Sequence, residues 1–170
     1  MKKYLVKILR PSVYPNYGAE FLAAIPRILG GLLLSLEFGS SKFGVPWSQG
    51  DQALGFFEVA TWFPEDVANF GAPFSWAPLF FAWMVAFTET IGGLFISLGL
   101  FTRYWSFLLA ASMLGAIFLQ KWPSAIEYGS SWPLLPAAGF LWIAIYGLIF
   151  GSGRTGLDFW FFGRQASNNN

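Results

Sequence analysis

Four long apolar stretches dominate the pattern of hydrophobic and polar positions along this chain. They cover about residues 20–41, 78–101, 104–120 and 134–150, and polar or charged residues stand near their ends. A helix rises ~1.5 Å per residue, so about 20 residues cross the ~30 Å hydrocarbon core of a bilayer. The pattern therefore predicts an all-α integral membrane protein, a bundle of four transmembrane helices.

The longest connection between these stretches, residues 43–77, mixes polar and aromatic residues. Residues 51–62 are amphipathic, and residues 64–71 begin with Pro64, carry Glu65 and Asp66 in the first turn and end at a glycine. This order of residues is typical of a short helix. The aromatic residues suit the membrane interface. We therefore expect one or two short interfacial helices in this first outer loop.

The other connections are shorter. A tight turn at residues 102–103 and a loop at residues 121–133 join the later spans, and residues 151–170 form a glycine-rich, then aromatic tail. The first residues are basic and amphipathic without a cleavage pattern, which predicts an arm on the membrane surface rather than a signal peptide. We expect residues 1–170 to form a single membrane domain.

Composition supports a membrane protein and narrows the choice of partners. The chain is 55% hydrophobic and only 11% charged, whereas soluble domains carry about 25% charged residues. The formal net charge of +1 gives no reason to expect a nucleic-acid partner. Membrane lipid is the partner that composition alone predicts.

The chain contains no histidine and no cysteine, which limits its chemistry. It cannot ligate haem, zinc or copper through imidazole, hold a Cys-ligated iron–sulfur cluster or use a thiol. We therefore expect no covalently bound or metal-ligated cofactor. A proton relay would have to use carboxylates, tyrosine, hydroxyl groups or water.

Basic residues near the ends of the spans predict the orientation. Two lysines, Lys42 and Lys121, fall on one side of the predicted membrane. The remaining basic residues near span ends fall on the other side: Lys2, Lys3, Lys7, Arg10, Arg103, Arg154 and Arg164. Both termini are therefore expected in the cytoplasm and residues 43–77 outside, in the periplasm of a bacterial inner membrane.

The second span holds one ionisable residue, Glu89, near the predicted centre of the bilayer. A charge there costs about 2.5–3.5 kcal/mol on insertion scales unless it is paired or protonated. The first span carries Arg27, and each charge precedes two glycines, Gly30 and Gly31 or Gly92 and Gly93. Small residues let helices approach closely. We therefore predict an Arg27–Glu89 ion pair, which serves either as a structural clasp or as part of a pocket or proton path.

Two further groups are candidates for function. A polar rim at the outer end of the bundle comprises Glu37, Lys42, Gln120 and Lys121, which either reach water as solvated charges or bind a substrate or partner. Trp142 and Tyr146 fall near the middle of the fourth span. They either stack on a quinone ring or pack in the core.

Taken in order, several motifs resemble the DoxX family of small four-span membrane proteins. Its relatives include the small membrane subunit of thiosulfate:quinone oxidoreductase. The motifs are RILGGLLL at residues 27–34, FGSSKFG at 38–44, ETIGG at 89–93 with LGLFTR at 98–103, AIFL and KWP within 116–123, and GSGRTGLD at 151–158. Many relatives carry histidines near the first motif and at the end of span three, where this chain has Glu37 and Gln120 with Lys121.

The resemblance implies a membrane location and a link to redox, quinone and sulfur metabolism. We therefore expect an accessory or anchoring subunit of a quinone-linked redox complex, without catalytic activity of its own. Quinone or lipid would be its ligand, and other membrane or periplasmic subunits its partners. Two alternatives stay open: a structural or assembly subunit without chemistry, and a small-molecule or proton transporter.

Overall fold

The fold is known from a computed structural model that describes residues 16–49 and 53–163, with residues 162 and 163 as backbone only. The helices are α1 (Tyr17–Gly39), α2 (Trp62–Ala68), α3 (Pro78–Leu98), α4 (Thr102–Glu127) and α5 (Trp132–Phe150). All except α2 are long and apolar enough to cross a membrane. Within the described ranges no strand forms, apart from one antiparallel bridge. The predicted four-helix membrane bundle is confirmed; the predicted basic arm lies outside the described residues.

Signals in the sequence explain several helix ends. The side chain of Asn16 accepts a hydrogen bond from the Gly18 amide at 2.9 Å and caps the start of α1. Pro78 is the first residue of α3, where its missing amide hydrogen costs nothing. Gly99 follows α3 with φ of 70°, a left-handed conformation that glycine adopts without strain.

The turn between α3 and α4 lies at residues 99–101, slightly before the predicted position at residues 102–103. Phe101 also has a positive φ, 48°, which is uncommon for a residue with a side chain. Thr102 is already the first residue of α4. Contacts from the distant tail, described below, stabilise this turn, and the local pattern carries no sign of them.

Widened π-helical turns interrupt three of the spanning helices in the part of the chain that is described. They are Leu34–Gly39 in α1, Thr88–Gly92 in α3 and Ala116–Lys121 in α4. The first two pack against each other. Such turns often lie at functional sites. In α4 the helix continues beyond the widened turn to Glu127, so the predicted loop at residues 121–133 begins later than expected.

Residues 53–61 are not helical, so of the one or two short helices expected in this loop the amphipathic stretch at residues 51–62 does not supply one within these described residues. Instead Phe43 and Val59 form the antiparallel bridge, flanked by hydrogen bonds from Gly44 N to Glu58 O and from Phe57 N to Gly44 O, both 2.7 Å. Pairing with the residues after α1 outweighs the weak helical pattern. The short helix predicted at residues 64–71 is present as α2.

Two apolar clusters hold the bundle together. One joins all four spanning helices: Leu34, Ile96, Leu109, Met113, Ala137, Phe140 and Ala144. The other fastens α2 and the connection before it to the first half of α3: Phe43, Val45, Val59, Phe63, Val67, Ala82 and Ala86. We call the end with this second cluster the Lys42 end, and the opposite end, with the α3–α4 turn, the Arg27 end.

Candidate functional site

A buried ion pair stands at the Lys42 end, between the end of α1 and the middle of α3. The Lys42 ammonium donates a hydrogen bond to Glu89 Oε2 in a very short contact. Lys42 Nζ also lies 5.0 Å from the centre of the Phe63 ring, within range of a cation–π interaction. Glu89 is only 4% exposed. Lys42 therefore pairs with the carboxylate near the middle of α3.

The predicted Arg27–Glu89 pair is wrong. Arg27 Nη1 donates to the carbonyl oxygens of Ile96 at 2.5 Å and Ser97 at 3.0 Å, and Nη2 to Thr155 Oγ1 at 3.4 Å. The reason is the register of the two antiparallel helices. It sets Arg27 beside the last turn of α3, while Glu89 lies level with the residues that follow α1.

The glycines create this register, though only one from each pair meets its predicted partner. A Cβ atom on Gly31 would lie 2.5 Å from Gly93 O, so α1 and α3 touch backbone to backbone there. Gly30 instead faces Ile143 of α5, and Gly92 faces Trp105 of α4. The close approach of the first two spans is therefore present, and the remaining two glycines make room for other helices.

A cavity of about 110 Å³ opens beside the ion pair. From α3 it is lined by residues one turn apart on a single face, and from α4 by a matching stripe. The lining residues are Phe81, Val85 and Glu89 of α3; Ala111, Ser112, Gly115, Ala116, Leu119 and Gln120 of α4; and Lys42, Phe63, Val67, Phe70 and Phe74 from α1, α2 and their connections. Its walls are thus mostly apolar and aromatic, with a polar group at one side.

The polar side of the cavity can both donate and accept hydrogen bonds. The ammonium of Lys42 has three N–H donors, and the contact with Glu89 uses one of them. Gln120 brings an amide, which donates and accepts. Ser112 is engaged locally, because its hydroxyl donates to Leu108 O at 3.0 Å. The cavity therefore suits a mainly apolar group that carries some polar atoms.

Some of the other predicted site residues line the cavity and others lie elsewhere. Of the predicted polar rim, Lys42 and Gln120 line this cavity, whereas Glu37 and Lys121 do not. Trp142 is 72% exposed on the outside of α5. Tyr146 lies near Arg27, beside a space of only about 10 Å³. That space holds at most about one water molecule, and neither aromatic residue lines the cavity beside Lys42 and Glu89.

Sequence reasoning missed the aromatic walls of the cavity. The spacing of Phe81, Val85 and Glu89 is a signal on α3 that could have revealed one face. Phe63, Phe70 and Phe74 gave no comparable signal, since α2 reaches α3 only through the folded connection. A search of the described residues finds no group of acidic side chains arranged to hold a metal ion.

At the Arg27 end, side chains of the tail and of α1 bind the ends of the spanning helices. Asp158 accepts hydrogen bonds from the Phe101 amide at 2.7 Å and the Thr102 amide at 3.0 Å, and so caps the start of α4. Arg154 Nε lies 3.6 Å from Glu20 Oε2. These contacts fasten residues 151–158 across the ends of the first three spans.

Replacing Asp158 by alanine is expected to lower the free energy of unfolding by about 1–2 kcal/mol, the usual cost of losing a helix cap. The reason is that two amides at the start of α4 lose their acceptor. Thermal unfolding in detergent measures the change, with Asp158→Asn, which keeps one acceptor oxygen, as the milder comparison. Equal stability of all three proteins would contradict the cap.

Comparison with known proteins gives one family. Residues 39–122 match the family model DoxX, which is about half of the chain. The matched segment runs from the end of α1 to the widened turn of α4 and includes Lys42, Glu89 and Gln120. Neither the curated proteins nor the solved structures contain a match.

Proposed function

The chain is a DoxX family membrane protein, and on that premise we propose that it is an accessory subunit of a quinone-linked redox complex. In this proposal the cavity beside Lys42 and Glu89 holds the quinone ring. The observation that carries it is that the buried carboxylate of Glu89, paired with Lys42, lies at a cavity whose walls are aromatic. The resemblance of about residues 20–160 to a family whose relatives include a subunit of thiosulfate:quinone oxidoreductase supports the same ligand class.

The size of the cavity supports a single ring. An engineered cavity of about 150 Å³ takes up benzene, whereas sites for whole drug-sized molecules occupy about 300–1,000 Å³. At about 110 Å³ the cavity is close to the smaller class. A quinone ring would fill it after small side-chain adjustments.

The hydrogen-bonding groups match both redox forms of the ring. A quinone carbonyl accepts hydrogen bonds, which Lys42 and Gln120 can donate. A quinol hydroxyl donates, and the carboxylate of Glu89 can accept it. The ring faces of Phe63 and Phe81 provide apolar contact area on the cavity wall.

Electrons would have to come from a partner subunit, because this chain has no histidine or cysteine to hold a redox centre. The basic residues before α1 and at the Arg27 end favour the cytoplasm for that end. The Lys42 end, with the long connection and α2, would then face the periplasm of a bacterial inner membrane. A periplasmic or membrane partner would dock there.

Purification in mild detergent, with mass spectrometry of co-purifying lipids and proteins, tests the proposal. We expect quinone and at least one further subunit to accompany the protein. Short-chain quinone should bind about 10- to 100-fold more weakly to Lys42→Met and Glu89→Gln, because a hydrogen bond to a charged group contributes about 1.5–3 kcal/mol. Trp142→Phe, on the outer face of α5, is the matched control and should bind normally.

Two results would contradict the proposal. One is a lone, quinone-free bundle that binds no added quinone and still fulfils its cellular role. The other is a complex that keeps full redox activity when Lys42 and Glu89 are both replaced by apolar residues. The second result would favour the purely structural subunit, which the interlocked Arg27 end would also suit.

A further inference from the structure

We infer that the cavity opens sideways into the hydrocarbon of the membrane, and that its ligand enters past Gly115. The ligand is then a lipid-soluble molecule whose ring enters while a long apolar tail stays outside along α4. This inference deepens the proposed function and rests on it for the chemistry of the ring.

The packing of the helices leaves the cavity open on one side. α3 packs against α4 mainly through its second half, Thr88–Gly92 and Gly93–Leu98. Its first half, Pro78–Phe87, packs instead against α2. The two spans therefore separate toward the Lys42 end, and the cavity occupies the wedge between them, with α2 on one side and α4 on the other.

The α4 side of the wedge carries small side chains that reach the lipid surface. Ala111, Gly115 and Leu119 stand one turn apart on the same face. Ala111 and Leu119 are exposed in the bundle, and all three also line the cavity. A Cβ atom added to Gly115 would meet no atom within 4 Å. The cavity thus continues into the surface that faces the hydrocarbon.

The polar pair stands on the side of the cavity away from this opening. Glu89 is almost completely buried and held by Lys42, whose ammonium packs over Phe63. A ligand that entered from the lipid would reach these polar groups last, with its apolar tail still in the bilayer. At about 110 Å³ the cavity is of a size for one ring, so a long tail would lie outside it along α4.

Carbodiimide labelling tests the route without relying on quinone. In the reaction of a lipid-soluble carbodiimide with Glu89, a carboxylate oxygen bonds to the central carbon, and a nitrogen of the reagent takes the proton that the paired Lys42 ammonium gives up. The activated acyl group then either rearranges to a stable N-acylurea or is attacked by the freed Lys42 amine, which leaves a Lys42–Glu89 amide and releases the urea. Mass spectrometry locates either product on the Glu89 peptide, and both count as labelling. In membranes we expect labelling of Glu89 in the unaltered protein and at least tenfold slower labelling in Gly115→Leu.

Gly139→Leu is the matched control, because Gly139 lies within α5, away from the cavity, and a Cβ there also meets no atom within 4 Å. It should label at the normal rate. Labelling of Gly115→Leu at the normal rate, equal slowing in both variants, or no labelling of the unaltered protein by the lipid-soluble reagent would each overturn the lateral route.

Ligand binding separates this inference from the proposed function. Gly115→Leu should bind a long-tailed quinone at least tenfold more weakly, yet bind a tail-less benzoquinone within about threefold of normal. An equal loss of affinity for both quinones would mean that the leucine fills the cavity, and would overturn ligand entry past Gly115. Normal carbodiimide results together with no quinone binding in any variant would reject the quinone and leave the lateral route supported.

Discussion

Replacing Arg27 by methionine is expected to lower the free energy of unfolding by roughly 1–3 kcal/mol, because a buried acceptor left without a donor costs about that much. The acceptor is the carbonyl oxygen of Ser97, at the end of α3, whereas that of Ile96 keeps a hydrogen bond from the Gly99 amide at 3.1 Å. The hydrogen bond that ties Thr155 of the tail to this end disappears as well. Thermal or denaturant unfolding in detergent measures the loss.

Two comparisons make this prediction specific. The stability of Arg27→Lys should fall between that of the unaltered protein and that of Arg27→Met, since one ammonium keeps the charge but lacks the planar guanidinium that reaches several acceptors. Arg154→Met removes an arginine from the same end that is more exposed than Arg27. It should cost less than about 1 kcal/mol, as exposed pairs do. A loss in Arg154→Met equal to that in Arg27→Met would show that charge at this end, not the capping geometry, matters.

The second large effect concerns Lys42 and Glu89. Removing one partner of a buried ion pair costs about 3–5 kcal/mol, whereas replacing both by apolar residues is often neutral. We therefore expect Lys42→Met to be strongly destabilising, and the double variant Lys42→Met with Glu89→Met to recover much of the loss. Unfolding in detergent of the two single variants and the double variant gives the coupling energy.

The same measurement on Arg27 and Glu89 is the control. These residues share no hydrogen-bond partner in the structure, so their effects should add within about 0.5 kcal/mol. A larger coupling for Arg27 with Glu89 than for Lys42 with Glu89 would restore the pair that the sequence suggested and contradict the register described above.

Much of the fold follows from local patterns. The number of spans, the short helix α2 and the start of α3 at Pro78 could all be predicted, because apolar length, capping residues and proline act within one or a few turns. The glycines of α1 and α3 also identified which helices approach closely. The irregular structure of residues 53–61 could not be predicted, since the bridge from Val59 to Phe43 depends on where α1 ends.

Only part of the candidate site could be predicted from the sequence. Glu89 was recognised from its cost in the membrane, and Lys42 and Gln120 from their place near the span ends. Glu89 and Gln120 lie in the widened turns of α3 and α4, and Lys42 follows that of α1, and the sequence carries no sign of these turns. The aromatic walls depended on α2 folding back onto α3.

The sequence by itself determined that this protein spans the membrane with four helices, neutralises a buried carboxylate and offers no histidine or cysteine ligand. These properties depend on composition and on distances along one helix. Only the tertiary structure decided which cation meets Glu89. A shift of one helical turn moves a side chain about 5.4 Å along the neighbouring helix, beyond the reach of a hydrogen bond. The backbone contact of Gly31 with Gly93 sets that shift, and it places Lys42, rather than Arg27, beside the carboxylate.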